Sequence, residues 1–425
     1  MIVTVSPSTI QGTIPVPASK SAMQRALAAA LIRKGRTMLH NPGHSADDLA
    51  ALSCIRALGA TVNCEGDPWV IDSQGVQPTQ GTIDCGESGL STRMFTPIAA
   101  LSHQALRVTG TGSLRNRPMH FFEEVLPALG VHVRTNQGCL PIELQGPLRP
   151  ATISVEGSLS SQFLTGLLMA YAGAGAKDVC IEVQDLKSRP YIDLTIGVLK
   201  KFGLPVPRHE NYRSFYFTGD GGPHPAGSLD YSVEGDWSSA SFWFAAAAIA
   251  GKLALNGLDT TSSQADKAME TVCRQAGMDI QFQRGSYQLT RGLPGPFEFD
   301  ATDCPDLFPP LVSLAAHVKG ESVIYGTTRL IHKESDRAQT LQQEFGKLGV
   351  RIEVAGDRMR IQGGGSLRAG EVSARGDHRI AMALAVAALG AQGPVKIHGA
   401  ESVRKSYPDF WRDLQSVGAV LSLTT

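Results

Sequence analysis

Two kinds of apolar pattern alternate along the chain. In segments such as ADDLAALSCIRALG and QADKAMETVCRQAG, apolar residues fall at three- and four-residue steps, which predicts amphipathic helices with one covered face. In SAMQRALAAALI, GLSTRMFTPIAAL, SSQFLTGLLMAYAG, SSASFWFAAAAIAG, DLFPPLVSLAAHV and HRIAMALAVAALG the chain is apolar almost all round and rich in Ala. Helices without a polar face belong in the interior. Short strand-like runs lie between the two kinds of helix: TMLHN, LRVTG, VCIEV, LALNG, SVIYG and VKIHG. Each amphipathic helix ends at a glycine followed by an alternating run, at LGATV, LGVHV, FGLPV, AGMDI, LGVRI and VGAVL. Those glycines are Gly59, Gly130, Gly203, Gly277, Gly349 and Gly418, with separations of 71, 73, 74, 72 and 69 residues. The chain is therefore a sixfold repeat of helix, strand, helix and hairpin, each glycine suiting the left-handed residue that closes a helix.

Repeats of this kind need neighbours to bury their faces, and six divide naturally into two lobes of three. A chain of 425 residues supports two cores. The strand-like TIQGTIPVPA precedes the first helix, and the chain ends in a strand just after Gly418, so the last repeat lacks part of its hairpin. The simplest closure puts the N-terminal strand with the C-terminal repeats. The expected lobes are residues 19–228 and residues 1–18 with 229–425, crossing near Pro17–Ser19 and in the Gly/Pro-rich GDGGPHPAGS stretch.

Polar and charged residues gather at the starts of these helices. Lys20-Ser21, Glu87-Ser88-Gly89, Ser160-Ser161-Gln162, Ser238-Ser239, Asp306 and Asp377-His378-Arg379 open the apolar helices. Near the outer ones lie Asp47-Asp48, Arg117, Ser188 to Tyr191, Asp266-Lys267, Lys333 to Arg337 and Lys405. Helix N-termini offer unpaired N–H groups and positive potential, which suit phosphate and carboxylate. A cation there opposes the dipole by ~0.3–1 kcal/mol, and Lys20, Arg117, Lys333 and Lys405 are read as accepting that cost for an anionic ligand. Taken singly, the features have plainer explanations: the serine pairs and Asp306 suit N-caps, Glu334 to Arg337 a solvated face, His378 and the four tryptophans packing. Recurrence across repeats favours the ligand.

Charge balance excludes a field that would recruit nucleic acid or an anionic membrane, since 39 Lys+Arg face 39 Asp+Glu. No signal-like segment opens the chain, and its longest apolar stretch, ending at Lys252, is shorter than the ~20 residues that span a bilayer. A cytoplasmic protein is expected. The seven cysteines are scattered without a C-x-x-C pair and read as reduced packing residues, with no metal site.

Ten segments, GTIPVPASKSAMQRAL, GESGLSTR, RNRPM, SSQF, SRPYID, VEGDWSSASF, CPDLFP, HKESDR, GDHRIAMA and RKSYPDFW, closely resemble the 5-enolpyruvylshikimate-3-phosphate synthase family, in its order and over essentially the whole chain. The resemblance implies an α+β, two-lobed enolpyruvyl transferase fold of six βαβαββ repeats, three per lobe, closing over substrates in a cleft. It implies transfer of the carboxyvinyl group of phosphoenolpyruvate to shikimate 3-phosphate, on the way to chorismate and aromatic amino acids, without metal or organic cofactor and with a monomer expected. By the same resemblance Lys20 lies between the two substrates. Ser21, Arg25, Ser160, Ser161, Gln162, Ser188 and Tyr191 meet shikimate 3-phosphate, and Lys333 holds its hydroxyl or carboxylate region. Gly89, Arg117, Arg337, Arg379 and Lys405 surround phosphoenolpyruvate, with Gln162 shared, and Asp306 and His378 count among the substrate-binding residues. The chemistry needs a base for the attacking hydroxyl and an acid/base at C3, for which Asp306 and Glu334 are the candidates. A sister transferase acting on UDP-N-acetylglucosamine typically has Lys-Asn where this chain has Lys20-Ser21, and a Pro-Gly-Gly-Cys loop that this sequence lacks. Two departures stand out. Glu87-Ser88-Gly89-Leu90 replaces the common Asn-Ala-Gly-Thr, and Ala18 replaces a frequent glycine.

Overall fold

The structure, a computed structural model, describes residues 1–219, 227–290, 292, 295–331 and 333–424. It consists of two compact units, Ala18–Glu234 and Met1–Pro17 with Gly235–Thr425. In the first unit the helices are α1 (Lys20–Arg33), α2 (Ala46–Ala57), α3 (Gly89–Ala99), α4 (Phe121–Val125), α5 (Ser161–Gly173) and α6 (Pro190–Lys201). The second contains α7 (Trp237–Ala250), α8 (Ala268–Gln275), α9 (Phe308–His317), α10 (Arg337–Lys347), α11 (His378–Ala388) and α12 (Phe410–Ser416). The apolar helices α1, α3 and α5 pack on one another inside one unit, and α7, α9 and α11 do so in the other. Burial of nearly every residue of α7 and α11 explains why their sequences show no polar face.

Among the described residues six four-stranded sheets cover these helices, and four of them are built on the same local pairing. A strand preceding an apolar helix pairs in parallel with the strand that follows it, and the hairpin continues the sheet antiparallel, as in Ile153–Glu156, Val179–Gln184, Ser214–Phe217 and Arg208–Glu210. In the sixth sheet Ile2–Ser6 stands between Val395–His398 and Val420–Thr424, filling the place of the missing hairpin strand. The two units also exchange a strand. Ile10–Pro15, which leads into α1, pairs with Gly251–Asn256 after α7, whereas Leu229–Ser232, which leads toward α7, pairs with Gly35–His40 after α1. This exchange corrects the sequence-based boundary. Residues 229–234 belong with the first unit, and the return crossing falls between Glu234 and Gly235 rather than in the Gly/Pro-rich stretch, where residues 220–226 lie outside the described residues.

Local chemistry shapes the exceptions. The second repeat's outer helix shrinks to α4 flanked by 3-10 turns at Gly112–Asn116 and Leu126–Leu129, because Pro118 and Pro127 interrupt it. Within α3, Pro97 has no N–H to donate to the carbonyl of Arg93, and Gly166 of α5 packs against that spot. A Cβ at 166 would lie 2.5 Å from the Arg93 carbonyl oxygen and 2.7 Å from Pro97 Cγ. Gly166→Ala gains ~1 kcal/mol of helix propensity but forces the helices apart, at an overpacking cost of ~1–3 kcal/mol. Net destabilisation of up to about 2 kcal/mol is expected from urea unfolding, and a raised midpoint would show that the helices separate at less cost than the propensity gain.

Candidate active site

In the first unit the apolar helices present their N-termini with polar side chains around them. Ser19 caps α1, accepting from Ala22 N at 3.3 Å, and places Lys20 on the first turn. Lys20 Nζ is 2.8 Å from Asp47 Oδ2 of α2, while Ser21 is half-buried beside it. Ser88 caps α3, so Gly89 opens that helix, and Arg117 lies over it so closely that a Cβ at 89 would stand 2.7 Å from Nη1. Arg93 donates from Nη1 to Gln162 Oε1 at 2.8 Å and sits 5.0 Å above the Phe163 ring. Ser160 caps α5, with Ser161 as the first helical residue. Ser188, at φ +57° and buried, accepts from Tyr191 N at 3.2 Å where α6 begins. The structure thus gathers Gly89, Arg117, Gln162 and Arg93 into one group. Ser88 supplies the side-chain cap of α3, and the Glu87 carboxylate folds against Gly112, whose φ of +58° suits glycine.

Arg25 occupies a different setting from its neighbours. Only 1% exposed, it donates to Thr195 Oγ1 at 2.9 Å, to the carbonyls of Ser21 at 2.8 Å and Tyr191 at 3.3 Å, and to Thr165 Oγ1 at 3.4 Å, joining α1 to α5 and α6. Burial pulls its pKa down to about 10 despite the nearby tyrosines. Gln24, one residue earlier, accepts from the hydroxyls of Ser88 and Ser91 at 3.0 Å each and so ties α1 to the start of α3. Gln24 escaped the reading of the sequence. Two long polar side chains in an otherwise apolar helix were the available signal.

The second unit holds a denser electrostatic cluster. Asp306, in the turn Pro305–Leu307 before α9, meets Arg337 Nη1 at 2.8 Å, Lys333 Nζ at 3.3 Å and Arg379 Nη2 at 3.0 Å. Burial alone would raise its pKa, but Arg379, Lys333 and Arg337 outweigh it and hold the carboxyl well below the ordinary aspartate value. Arg337, fully buried at the start of α10, also binds Glu334 Oε2 at 2.6 Å and Asp377 Oδ2 at 2.9 Å. Its burial is more than offset by Asp377, Glu334 and Asp306, so it stays charged. Burial lowers Lys333 below an ordinary lysine, against the pull of Asp306. Asp377 caps α11 and accepts from Arg379 N at 2.9 Å. His378 beside it is 1% exposed, with Nδ1 3.9 Å from Asp377 Oδ1. Lys405 Nζ reaches the carbonyl of Gly376 at 2.9 Å.

Lys20 stands on the first turn of an α-helix, but Lys405 ends the 3-10 turn Ala400–Lys405, Arg117 follows the turn Gly112–Asn116, and Lys333 precedes α10, which begins at Arg337. Of these four, Lys20 alone opposes a helix dipole; Arg117 and Lys405 are carried by 3-10 turns and Lys333 by the bend before α10. All four tryptophans are buried, and among the described residues no helix is long and apolar enough to cross a membrane.

Chemically, each unit concentrates cations and hydroxyls of the kind that bind phosphate and carboxylate, and the second adds a cluster of buried carboxylates. The fold is shared with solved enolpyruvyl transferases: an EPSP synthase from Acinetobacter baumannii at TM-score 0.82 and 24% identity, covering 99% of this chain and 100% of that one, and an enolpyruvyl transferase from Streptomyces tendae at TM-score 0.78 and 18% identity, covering 100% and 99%. The fold class is therefore that of the enolpyruvyl transferases. Residues 5–414 match the family described as EPSP synthase (3-phosphoshikimate 1-carboxyvinyltransferase). Proteins named 3-phosphoshikimate 1-carboxyvinyltransferase from Clostridium perfringens and Aeropyrum pernix are 34% and 37% identical, the first over 99% of both chains, the second over 98% of this chain and 96% of its own. The chain belongs to the EPSP synthase family.

Proposed function

We propose that this protein transfers the enolpyruvyl group of phosphoenolpyruvate to the 5-hydroxyl of shikimate 3-phosphate, releasing phosphate. The observation that carries the site assignment is the Asp306 carboxylate held at 2.8–3.3 Å by Arg337, Arg379 and Lys333. Such a group is a base surrounded by cations that an anionic substrate can claim. Lys333 turns to shikimate 3-phosphate, and Arg379, Arg337 and Lys405 turn to phosphoenolpyruvate. As Lys333, Arg379 and Arg337 leave Asp306 its basicity rises, so that it becomes a competent base only in the presence of substrate.

In this reading Asp306 takes the proton of the attacking hydroxyl as its oxygen bonds to C2 of phosphoenolpyruvate. Glu334 delivers a proton to C3, giving a tetrahedral ketal phosphate. Glu334 then removes a proton from C3, the C2–C3 double bond re-forms and phosphate departs with the C2–O bond electrons. Lys20 stabilises the charge developing between the substrates. Ser21, Arg25, Ser160, Ser161, Gln162, Ser188 and Tyr191 hold shikimate 3-phosphate, with Arg25 acting through the α1 to α6 contacts that fix Ser21 and Tyr191. Gly89 and Arg117 complete the phosphoenolpyruvate set with His378. Acid–base and electrostatic groups suffice for each step, so neither metal nor organic cofactor is called for, and we take the protein to act as a cytoplasmic monomer.

Proton NMR of the protein with phosphoenolpyruvate and shikimate 3-phosphate should show the vinyl signals of an enol ether growing as phosphate is released. Signals that grow only when UDP-N-acetylglucosamine is the acceptor would transfer the activity to the sister reaction.

A further inference from the structure

Asp266 is a buried acid to which the chemistry above gives no task. It lies in the short turn Ala265–Lys267 and is 1% exposed. Its Oδ2 accepts from the Ser238 hydroxyl on α7 and stands 3.9 Å from Arg379 Nη1, while its Oδ1 is buried without a hydrogen-bond partner. The same guanidinium meets Asp306 through Nη2 at 3.0 Å. Two carboxyl groups thus share one arginine, and the looser of them lacks the bonds that a buried carboxylate requires.

The groups facing Asp266 can be named element by element. Asp306 approaches from the turn before α9, Arg379 from α11 and Asp236 from the cap of α7, with the Cys304 thiol also near. Burial and the negative charge of Asp306 raise its pKa, Arg379 and the Ser238 hydrogen bond lower it, and Asp236 raises it again, for a net value of about 7. Near neutral pH this carboxyl is poised between its two forms.

We propose that Asp266 is a positioning residue that takes up a proton from solvent when phosphoenolpyruvate engages Arg379, releasing that guanidinium to serve the ligand. The inference rests on the assignment of Arg379 to phosphoenolpyruvate. Charge is conserved locally in an intelligible way: a ligand anion claims the arginine, and the proton neutralises the carboxylate that loses it. No bond to the ligand is made or broken at Asp266. Once neutral, it no longer draws Arg379 back and no longer repels the incoming anion.

The sign of the pH dependence follows. Binding raises the pKa of Asp266, so the protonated form is favoured by ligand, and affinity weakens as pH climbs from about 7 toward the bound value, by up to ~10-fold per unit. Asp266→Asn fixes the neutral form and removes this component. The test is the KM for phosphoenolpyruvate at saturating shikimate 3-phosphate across about pH 7 to 8.5, paired with calorimetry of phosphoenolpyruvate binding in buffers of different ionisation enthalpy. Ionisation of the ligand's own phosphate affects both proteins alike, so the difference between them is the readout. The wild type should lose affinity more steeply and take up more protons than the variant, with kcat following a different profile. Equal profiles and equal proton uptake would overturn the proposal. Should Asp266→Asn not fold, Ser238→Ala serves instead: losing the hydrogen bond to the charged form should move the midpoint to higher pH, and an unmoved midpoint overturns it too. Absence of enol ether formation by the wild type would sink the functional reading, whereas turnover with parallel pH profiles sinks this inference alone.

Discussion

Asp306→Ala is expected to lower kcat by ~10²- to 10⁴-fold, the usual contribution of a positioned proton acceptor. The accompanying effect on binding is the more informative half of the measurement. Removing Asp306 leaves Lys333 and Arg379 without the carboxylate they now contact at 3.3 and 3.0 Å, which makes the region more positive. Phosphoenolpyruvate should therefore bind the variant no more weakly than the wild type, and KM should hold steady or fall while kcat collapses. Steady-state kinetics with both substrates varied would show the split. A near-normal kcat would remove Asp306 from proton transfer, and a loss confined to KM would make it a binding residue only.

The largest effect on stability is expected from Arg337→Met. This guanidinium is fully buried and bonds to Asp306, Glu334 and Asp377, the last with a side chain that is itself 0% exposed. Methionine fills much of the volume but leaves uncompensated carboxylates behind, and breaking a buried ion network from one side costs about 3–5 kcal/mol. For a unit of this size that corresponds to a fall of roughly 6–20 °C in Tm. Acid should relieve part of the deficit in the variant, because protonation neutralises the stranded carboxyls. In the wild type the sign is opposite: the folded pKa of Asp306 is depressed, so its contribution is complete above the unfolded value of about 4 and disappears as pH falls through the lower folded value. Thermal unfolding at neutral and mildly acidic pH distinguishes the two behaviours. Equal melting temperatures for both proteins at neutral pH would show that the network contributes little.

The repeat was legible because its marks are local. A glycine closing each outer helix and an apolar helix without a polar face depend only on neighbours in sequence, so Gly59 to Gly418 and the six Ala-rich runs could be placed without coordinates. Strand partnership is not local. Nothing within Leu229–Ser232 says that it joins Gly35–His40 rather than the strand after the helix it leads into, and the first unit therefore runs to Glu234, several residues past the boundary expected from the sequence. The site divides along the same line. Lys20, Asp306, Lys333, Arg337 and Arg379 stand at helix starts and turns where their charge is conspicuous in the sequence, and their family resemblance adds to it. Gln24 and Asp266 matter through side chains far along the chain, Ser88 and Ser91 for one, Ser238 and Arg379 for the other. A cation at a helix start was also the wrong description for Arg117, Lys333 and Lys405, since the short turns that carry them have no amphipathic signature of their own.

Completion of the sixth sheet by residues 2–6 bears on how the protein is made. Ile2–Ser6 leaves the ribosome more than 400 residues before Val420–Thr424 and must wait for that strand before it has both its neighbours. The span 18–234, by contrast, contains all the strands of its own three sheets and can close as soon as Leu229–Ser232 has emerged. Synthesis thus favours an order in which the uninterrupted half matures first, while Ile2–Ser6 stays without its second neighbour until Val420–Thr424 has emerged, a long-range closure of the kind that slows folding.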